Sequence, residues 1–156
     1  MKISSQEEYG LRCLMQVARD GSDHPLPISE IAMQEGLSVE YVGKLLMKLR
    51  KGSLVDSVRG KAGGYILARP ADEISLRLVL DVLSEPIYDT AYCDRFSGTE
   101  ETCVHVEECG IRPIWSIVNR FLADALDGVT MADLIKSEDL ARRRLKESIQ
   151  EQALKL

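Results

Sequence analysis

The sequence of 156 residues predicts a mainly α chain with one small β-hairpin. Apolar residues recur at helical spacing along most of the chain. One Gly-rich turn lies between two short strand-like runs. After an irregular stretch, a long amphipathic segment starts at Pro113.

Ser4-Ser5-Gln6-Glu7 has capping-box spacing, and Leu11, Leu14, Met15 and Ala18 follow on one face, so a first helix is expected to run to about Arg19. Gly21 to Pro27 is a loop of turn formers. Ser29 is expected to cap a short helix through Gln34, with Gly36 at its end. Ser38 then caps a second helix with Val42, Leu45, Leu46 and Leu49 on one face. Ala32 is small enough for a close helix crossing, Gly36 suits a left-handed turn, and Val42 is a β-branched core plug. Two short helices joined this way form a helix-turn-helix, although ordinary helical hairpins share the pattern.

The next elements sharpen that reading. Leu54 to Arg59 and Tyr65 to Ala68 have strand character, and Gly60-Lys61-Ala62-Gly63-Gly64 turns the chain back between them. A hairpin directly after the second helix is a wing, with Arg59 and Lys61 at its tip. The fold class is therefore a winged helix-turn-helix plus a long helix. Ser75 caps a further helix through Leu83, carrying Leu78, Val79, Val82 and Leu83, and Pro86 ends it. Residues 87–110 break all periodicity, which is unusual for a segment of that length without a function. The long helix carries Trp115, Val118, Phe121, Leu122, Ala125 and Leu126, and Gly128 closes it. Its broad apolar face is expected to serve as a dimerisation surface, with packing inside its own subunit as the alternative. Thr130 to Asp133 caps a short helix, and a charged surface helix or tail follows. The expected organisation is a DNA-binding domain at 1–84, a cysteine loop at 85–110, the dimerisation and following short helix at 111–136, and a C-terminal element at 137–156.

Charge supports a nucleic-acid partner locally. The net charge is −5, yet residues 40–69 hold seven basic and two acidic residues. A basic patch on an acidic body suits double-stranded DNA. Ser38, Glu40, Tyr41 and Lys44 open the second helix of the pair and are expected to face a major groove. Lys44 and Lys48 are expected phosphate contacts, and Gly43 offers no side chain there. Arg59 is expected to enter or border a minor groove, with Lys61 beside it. A two-fold dimer would read an inverted repeat with half-sites about 34 Å apart.

No apolar run approaches the roughly 20 residues that span a bilayer, and the N-terminus lacks the apolar stretch of a signal peptide. A cytoplasmic location is expected, where thiols stay reduced. There is no Gly-rich phosphate loop and no nucleophile elbow. His24 and His105 have no evident catalytic partners, so the expectation is a regulator and not an enzyme.

Three of the four cysteines lie in the irregular segment: Cys93, Cys103 and Cys109, separated by nine and five residues. Thiolates are soft ligands for iron–sulfur groups or zinc. Long irregular spacing suits a cluster better than the closely spaced hooks of structural zinc. Zinc, a redox thiol switch and free thiols are the alternatives. Cys13, inside the first helix, reads as a small core residue.

The chain resembles the Rrf-two family of bacterial winged-helix regulators over nearly its whole length. The resemblance rests on Met1 to Ser4, on Ile28-Ser29-Glu30-Ile31-Ala32, on the run from Leu45 to Gly52, and above all on Ser57 to Tyr65. The three cysteines followed by the helix with Trp115 complete it. It implies an iron–sulfur cluster, 2Fe–2S or 4Fe–4S, held by three cysteines and one other ligand in a homodimer formed through the long helix. It also implies a signal drawn from iron–sulfur supply, iron, nitric oxide or redox stress. Two features depart from the family pattern. The first cysteine gap is longer than usual, and Arg112 stands where IscR-type members carry a histidine ligand. At Gly43 several relatives carry a base-reading acidic residue. The fourth ligand implied by NsrR-type members, which use an acidic residue of the first helix across the dimer, is Glu8 of the partner subunit. His105 is its rival, followed by Glu107 and Glu108, but His105 sits only two residues from Cys103. The alternative function is a winged-helix repressor that responds to thiol oxidation or a small molecule without metal.

Overall fold

A computed structural model describes residues 3–20, 24–60, 62–86, 88–89 and 91–155. Helix α1 (Ser5–Asp20) opens with a true capping box. The Ser4 amide donates to Glu7 Oε2 at 2.6 Å, and the Glu7 amide donates to Ser4 Oγ at 3.3 Å. Hydrogen bonding from Ser4, first from its side chain and then from its backbone amide, holds the Glu7 carboxyl below its usual pKa. Helices α2 (Ile28–Glu35) and α3 (Val39–Lys51) follow, joined through Gly36 at φ +66, the left-handed value that glycine adopts without a Cβ penalty. Ser38 Oγ accepts from the Tyr41 amide at 3.2 Å and caps α3 as expected.

Ser29 does not cap α2. The chain enters that helix through Pro27, with φ −64 and ψ 143, and no side chain supplies a cap. The Pro27 carbonyl instead accepts from the Glu30 and Ile31 amides. The helix thus starts ahead of Ser29, which is exposed on the first turn.

Strands β1 (Val55–Val58) and β2 (Gly64–Leu67) pair antiparallel, Val55 opposite Leu67 and Val58 opposite Gly64. The hairpin gains a third edge that the sequence pattern did not announce. Leu26 and Tyr65 exchange both backbone hydrogen bonds at 2.9 Å, so the linker before α2 ties the wing to the helices. Gly64 permits that approach, since a Cβ there would lie 2.5 Å from the Leu26 backbone. After a 3-10 turn at Ala71–Glu73, Ser75 caps α4 (Leu76–Leu83) through the Leu78 amide at 3.2 Å.

Residues 87–110, expected to be wholly irregular, contain the one-turn helix α5 (Tyr92–Arg95). Helix α6 (Arg112–Asp127) carries Pro113 in its first turn, where a proline needs no hydrogen-bond partner. Helix α7 (Met131–Lys136) has the full Thr130–Asp133 capping box. The C-terminal segment is the helix α8 (Glu138–Ala153), which packs on α6 and α7.

The core sits among α1, α3, α4 and the wing. Leu14, Val17, Ile31, Val42, Leu46, Leu49, Leu54, Val55, Ile74, Val79 and Leu83 are completely buried there. The expected inner face of α3, Val42, Leu45, Leu46 and Leu49, is all in it. Met131 belongs to the same cluster, so α7 returns to the winged unit after α6. The return is fastened by a backbone exchange: Leu76 N donates to Val129 O at 2.7 Å, and Met131 N to Ile74 O at 2.8 Å.

Candidate nucleic-acid interface and cysteine loop

With its inner face committed to the core, α3 turns Val39, Glu40, Lys44 and Met47 outward, and Ser38 is exposed at its start. Gly43 is half-buried, and a Cβ there would meet Ile28 Cδ1 at 3.3 Å, so the missing side chain also lets α2 and α3 approach. Tyr41 is half-buried and meets Tyr9 edge-on, with ring centroids 6.1 Å apart. The Arg12 guanidinium lies 5.3 Å from the centre of the Tyr9 ring and donates from Nε to Glu35 Oε2 at 2.6 Å. Gln16 donates to the other Glu35 oxygen. That carboxylate is nearly buried and holds the Arg12 pKa above its usual value. A polar and aromatic chain therefore runs from α3 through α1 to the end of α2. Sequence reasoning missed it, because Tyr9, Arg12 and Glu35 carry no motif; only their shared helix faces hint at it.

Arg59 is exposed at the end of β1, just before Gly60 at φ +121. Lys61 lies outside the described residues. Lys48, expected as a phosphate contact, is engaged within the fold: its Nζ donates to the Leu83 carbonyl at 3.0 Å.

The cysteines occupy different local settings. Cys13 is fully buried, and burial first of all pushes its thiol up to about 11. Cys93, Cys103 and Cys109 are half-buried and free. Cys93 sits on α5, which is braced by the mutually tilted rings of Tyr88, Tyr92 and Phe96 and by an Arg95–Asp89 ion pair at 2.9 Å. A hydrogen bond from Arg95 keeps the Asp89 carboxyl below the usual range. Cys103 begins a turn in which its carbonyl accepts from the Val106 amide at 3.0 Å. Cys109 closes the loop before α6, and Arg112 secures that end by donating to the Val106 carbonyl at 2.6 Å. The arginine at the expected histidine position thus has a structural role. His105, Glu107 and Glu108 are exposed.

Among the described residues, no three His, Cys, Asp or Glu side chains converge on a site for one metal ion. The donor set, three free thiols on one segment, fits a thiolate-held iron–sulfur group in its chemistry. Glu8 is exposed on the first turn of α1. It lines a groove of about 720 Å³ between α1, α4 and α6, floored by Leu11, Leu80, Leu122 and Leu126. Within one chain it does not join the cysteines.

Residues 3–137 match the Rrf2 family, described as iron-dependent transcriptional regulators. The chain belongs to that family. The HTH-type transcriptional regulator IscR of Erwinia tasmaniensis is 30% identical over 140 residues, covering 90% of this chain and 82% of that protein. Among solved structures, T. potens IscR is 30% identical with a TM-score of 0.68, covering 87% of each chain. CymR, the global cysteine regulator of B. subtilis, is 31% identical with a TM-score of 0.67, covering 86% of this chain and 96% of that one. This Rrf2 protein is a winged-helix, DNA-binding transcription regulator and not an enzyme. No helix among the described residues is long and apolar enough to cross a membrane.

Proposed function

We propose that this Rrf2 regulator binds an inverted-repeat operator as a homodimer, and that an iron–sulfur cluster on Cys93, Cys103 and Cys109 sets its affinity. One observation carries the reading. Between Leu83 and Ala125 none of the described residues is buried, yet that stretch holds three of the four free thiols and a helix with Ile114, Trp115, Ile117 and Val118 exposed. A segment with no core of its own takes its order from elsewhere. The apolar face of α6 supports a second copy as one source, since contiguous exposed apolar surface marks an interface. The thiols support a bound group as the other.

In this reading Ser38, Glu40, Tyr41 and Lys44 present the start of α3 to the major groove. Arg59 reaches the minor groove beside the wing. Lys48 leaves the DNA face. Cys93, Cys103 and Cys109 would hold the cluster, which when bound would supply a thiolate-linked crosslink within the loop. The fourth ligand is Glu8 of the partner subunit, with His105 as its rival. Glu8 suits the role because it is exposed at the edge of the α1–α4–α6 groove, where a second chain would lie. An oxygen ligand from the other copy would tie loss of the group to movement of α1, and so shift the population of DNA-competent dimers.

Similarity to CymR, including the oxidised form from Staphylococcus aureus at 28% identity, favours a second reading: the same loop switching by thiol oxidation alone. Anaerobic reconstitution with iron and sulfide separates the two. Visible absorption that is lost on Cys93→Ala, Cys103→Ala or Cys109→Ala and kept on Cys13→Ala supports the cluster. Glu8→Ala against His105→Ala then assigns the fourth ligand by cluster lifetime. A colourless wild-type protein whose operator affinity changes on thiol oxidation supports the second reading.

A further inference from the structure

The last carbonyls of a helix have no partner within it and need donors from outside. Helix α4 ends at Leu83, and the Leu83 carbonyl receives two such donors from two different elements. Gln6 Nε2 donates from α1, and Lys48 Nζ donates from α3 at 3.0 Å. A cation at this end of a helix also complements its dipole. The side chains of the same turn are seated as closely. Leu83 is fully buried against Gly10 of α1, where a Cβ would lie 2.6 Å from its Cδ2. Val82 sits on Gly52, the C-cap of α3, where a Cβ would lie 2.3 Å from its Cγ2. Two glycines and two side-chain donors thus fasten one turn of α4 to α1 and α3 together.

The position of this fastening in the chain gives it meaning. Leu83 is the last buried residue before the cysteine loop, and Ser84, which follows, donates from Oγ to the Leu80 carbonyl. Helix α1 carries Glu8 two residues from both Gln6 and Gly10. Helix α3 carries the outward residues of the DNA face. We propose that Lys48 is a positioning residue: through the Leu83 carbonyl it locks the recognition helix α3 to the hinge from which the cysteine loop departs. Tension on the loop reaches α3 there, by way of a rigid helix end and not through the wing. The relay part of this proposal rests on the cluster-controlled reading given above. The positioning of α3 does not.

Lys48 as a phosphate contact and Lys48 as a lock make opposite predictions. A phosphate contact adds to binding of every sequence and to its salt dependence. A lock affects only the specific complex, where α3 must sit correctly. The test measures operator and random-sequence affinity over a salt series for wild type, Lys48→Met, Lys48→Arg and Lys44→Ala, first in metal-free protein. Lys48→Met is expected to lose about tenfold in operator affinity, with random-sequence affinity and salt slope unchanged. Lys48→Arg restores the operator affinity because its guanidinium can still donate to Leu83. Lys44→Ala lowers the salt slope by about one. Equal loss on both DNAs with a lowered slope for Lys48→Met overturns the lock. If Lys48→Met fails to fold, Gln6→Leu removes the other donor to the same carbonyl. It is expected to lose operator discrimination in the same way, and full discrimination in that variant overturns the lock. The relay is read in reconstituted protein. The loaded-to-free affinity ratio of Lys48→Met is expected to move toward one; a ratio equal to that of a responsive wild type overturns the relay. A wild-type ratio of one sinks the relay together with cluster control, while leaving the metal-free result to stand for the lock.

Discussion

The winged unit and the segment that links it to the end of α6 follow different rules. In the winged unit, α1, α3, α4 and the hairpin share one core whose large apolar members are fully buried. Helix starts are capped by Ser4, Ser38 and Ser75, and the linker at Leu26 is paired to the wing. From Ser84 to Asp124 none of the described residues is buried. Up to α6 the order is local: a row of tilted aromatic rings around α5, the Arg95–Asp89 ion pair, and Arg112 on the Val106 carbonyl, while α6 itself leans on α4 and α8. The first unit has the contacts to specify itself. The second has fewer, and its ties to the rest of the chain run mainly through α6.

The sharpest contrast is chemical. Cys13 titrates near 11 because burial disfavours its thiolate, so at pH 8 its thiolate fraction is about a hundredfold below that of a thiol at the ordinary 9.0. Alkylation of the native metal-free protein, followed by mass spectrometry, is expected to label three cysteines before the fourth. Early labelling of Cys13 would break the comparison. A raised thiol pKa means the folded state holds a proton that the unfolded chain releases first. The contribution of Cys13 to stability is therefore full below about pH 9 and is lost as pH rises toward 11. Cys13→Ala is expected to flatten that alkaline decline.

Next in size is packing. Leu46→Ala empties a fully buried site and is expected to cost about 3 kcal/mol in denaturant unfolding. Val104→Ala in the loop, where the side chain is 76% exposed, is expected to stay within about 0.5 kcal/mol. Comparable losses at the two positions would show that the loop has a core after all. Ile114→Glu with Val118→Glu places charge on the exposed face of α6. Sedimentation is expected to show monomers, with operator affinity reduced about a hundredfold because the two half-sites are no longer linked. The smallest effect is at the cap: Ser38→Ala is expected to cost about 1 kcal/mol, seen as a modest fall in Tm.

Most of the winged unit was legible in the sequence because its determinants are local. Ser38 precedes an apolar face, Gly36 stands at a left-handed turn, and Gly60 to Gly64 reverse a hairpin; each acts within a few residues. Ser29 misled for the same reason. Its type suits a cap, but Pro27 had already set the backbone, so α2 begins at Ile28. The ties that escaped detection join residues far apart in sequence: Leu26 with Tyr65, Arg12 with Glu35, and Lys48 with Leu83. Lys48 shows the limit clearly, since a lysine on the second helix of the pair looks the same in sequence whether it meets a phosphate or a helix end. The three thiols of the cysteine loop stood out in the sequence as candidate soft ligands in one segment. The geometry of the loop did not, because the short aromatic brace around α5 has no periodicity to announce it.

The central claim is that what binds the loop thiols sets the grip of the winged unit on its operator. The direct measurement is titration of one inverted-repeat operator at fixed salt with anaerobically reconstituted protein, with stripped protein, and with a Cys93→Ala, Cys103→Ala, Cys109→Ala triple variant. Reconstituted and stripped wild type are expected to differ by at least about tenfold, a coupling of ordinary size for a switch between two sites. The triple variant is expected to hold the stripped value whether or not iron and sulfide are supplied. Equal affinity in all three samples would contradict the account.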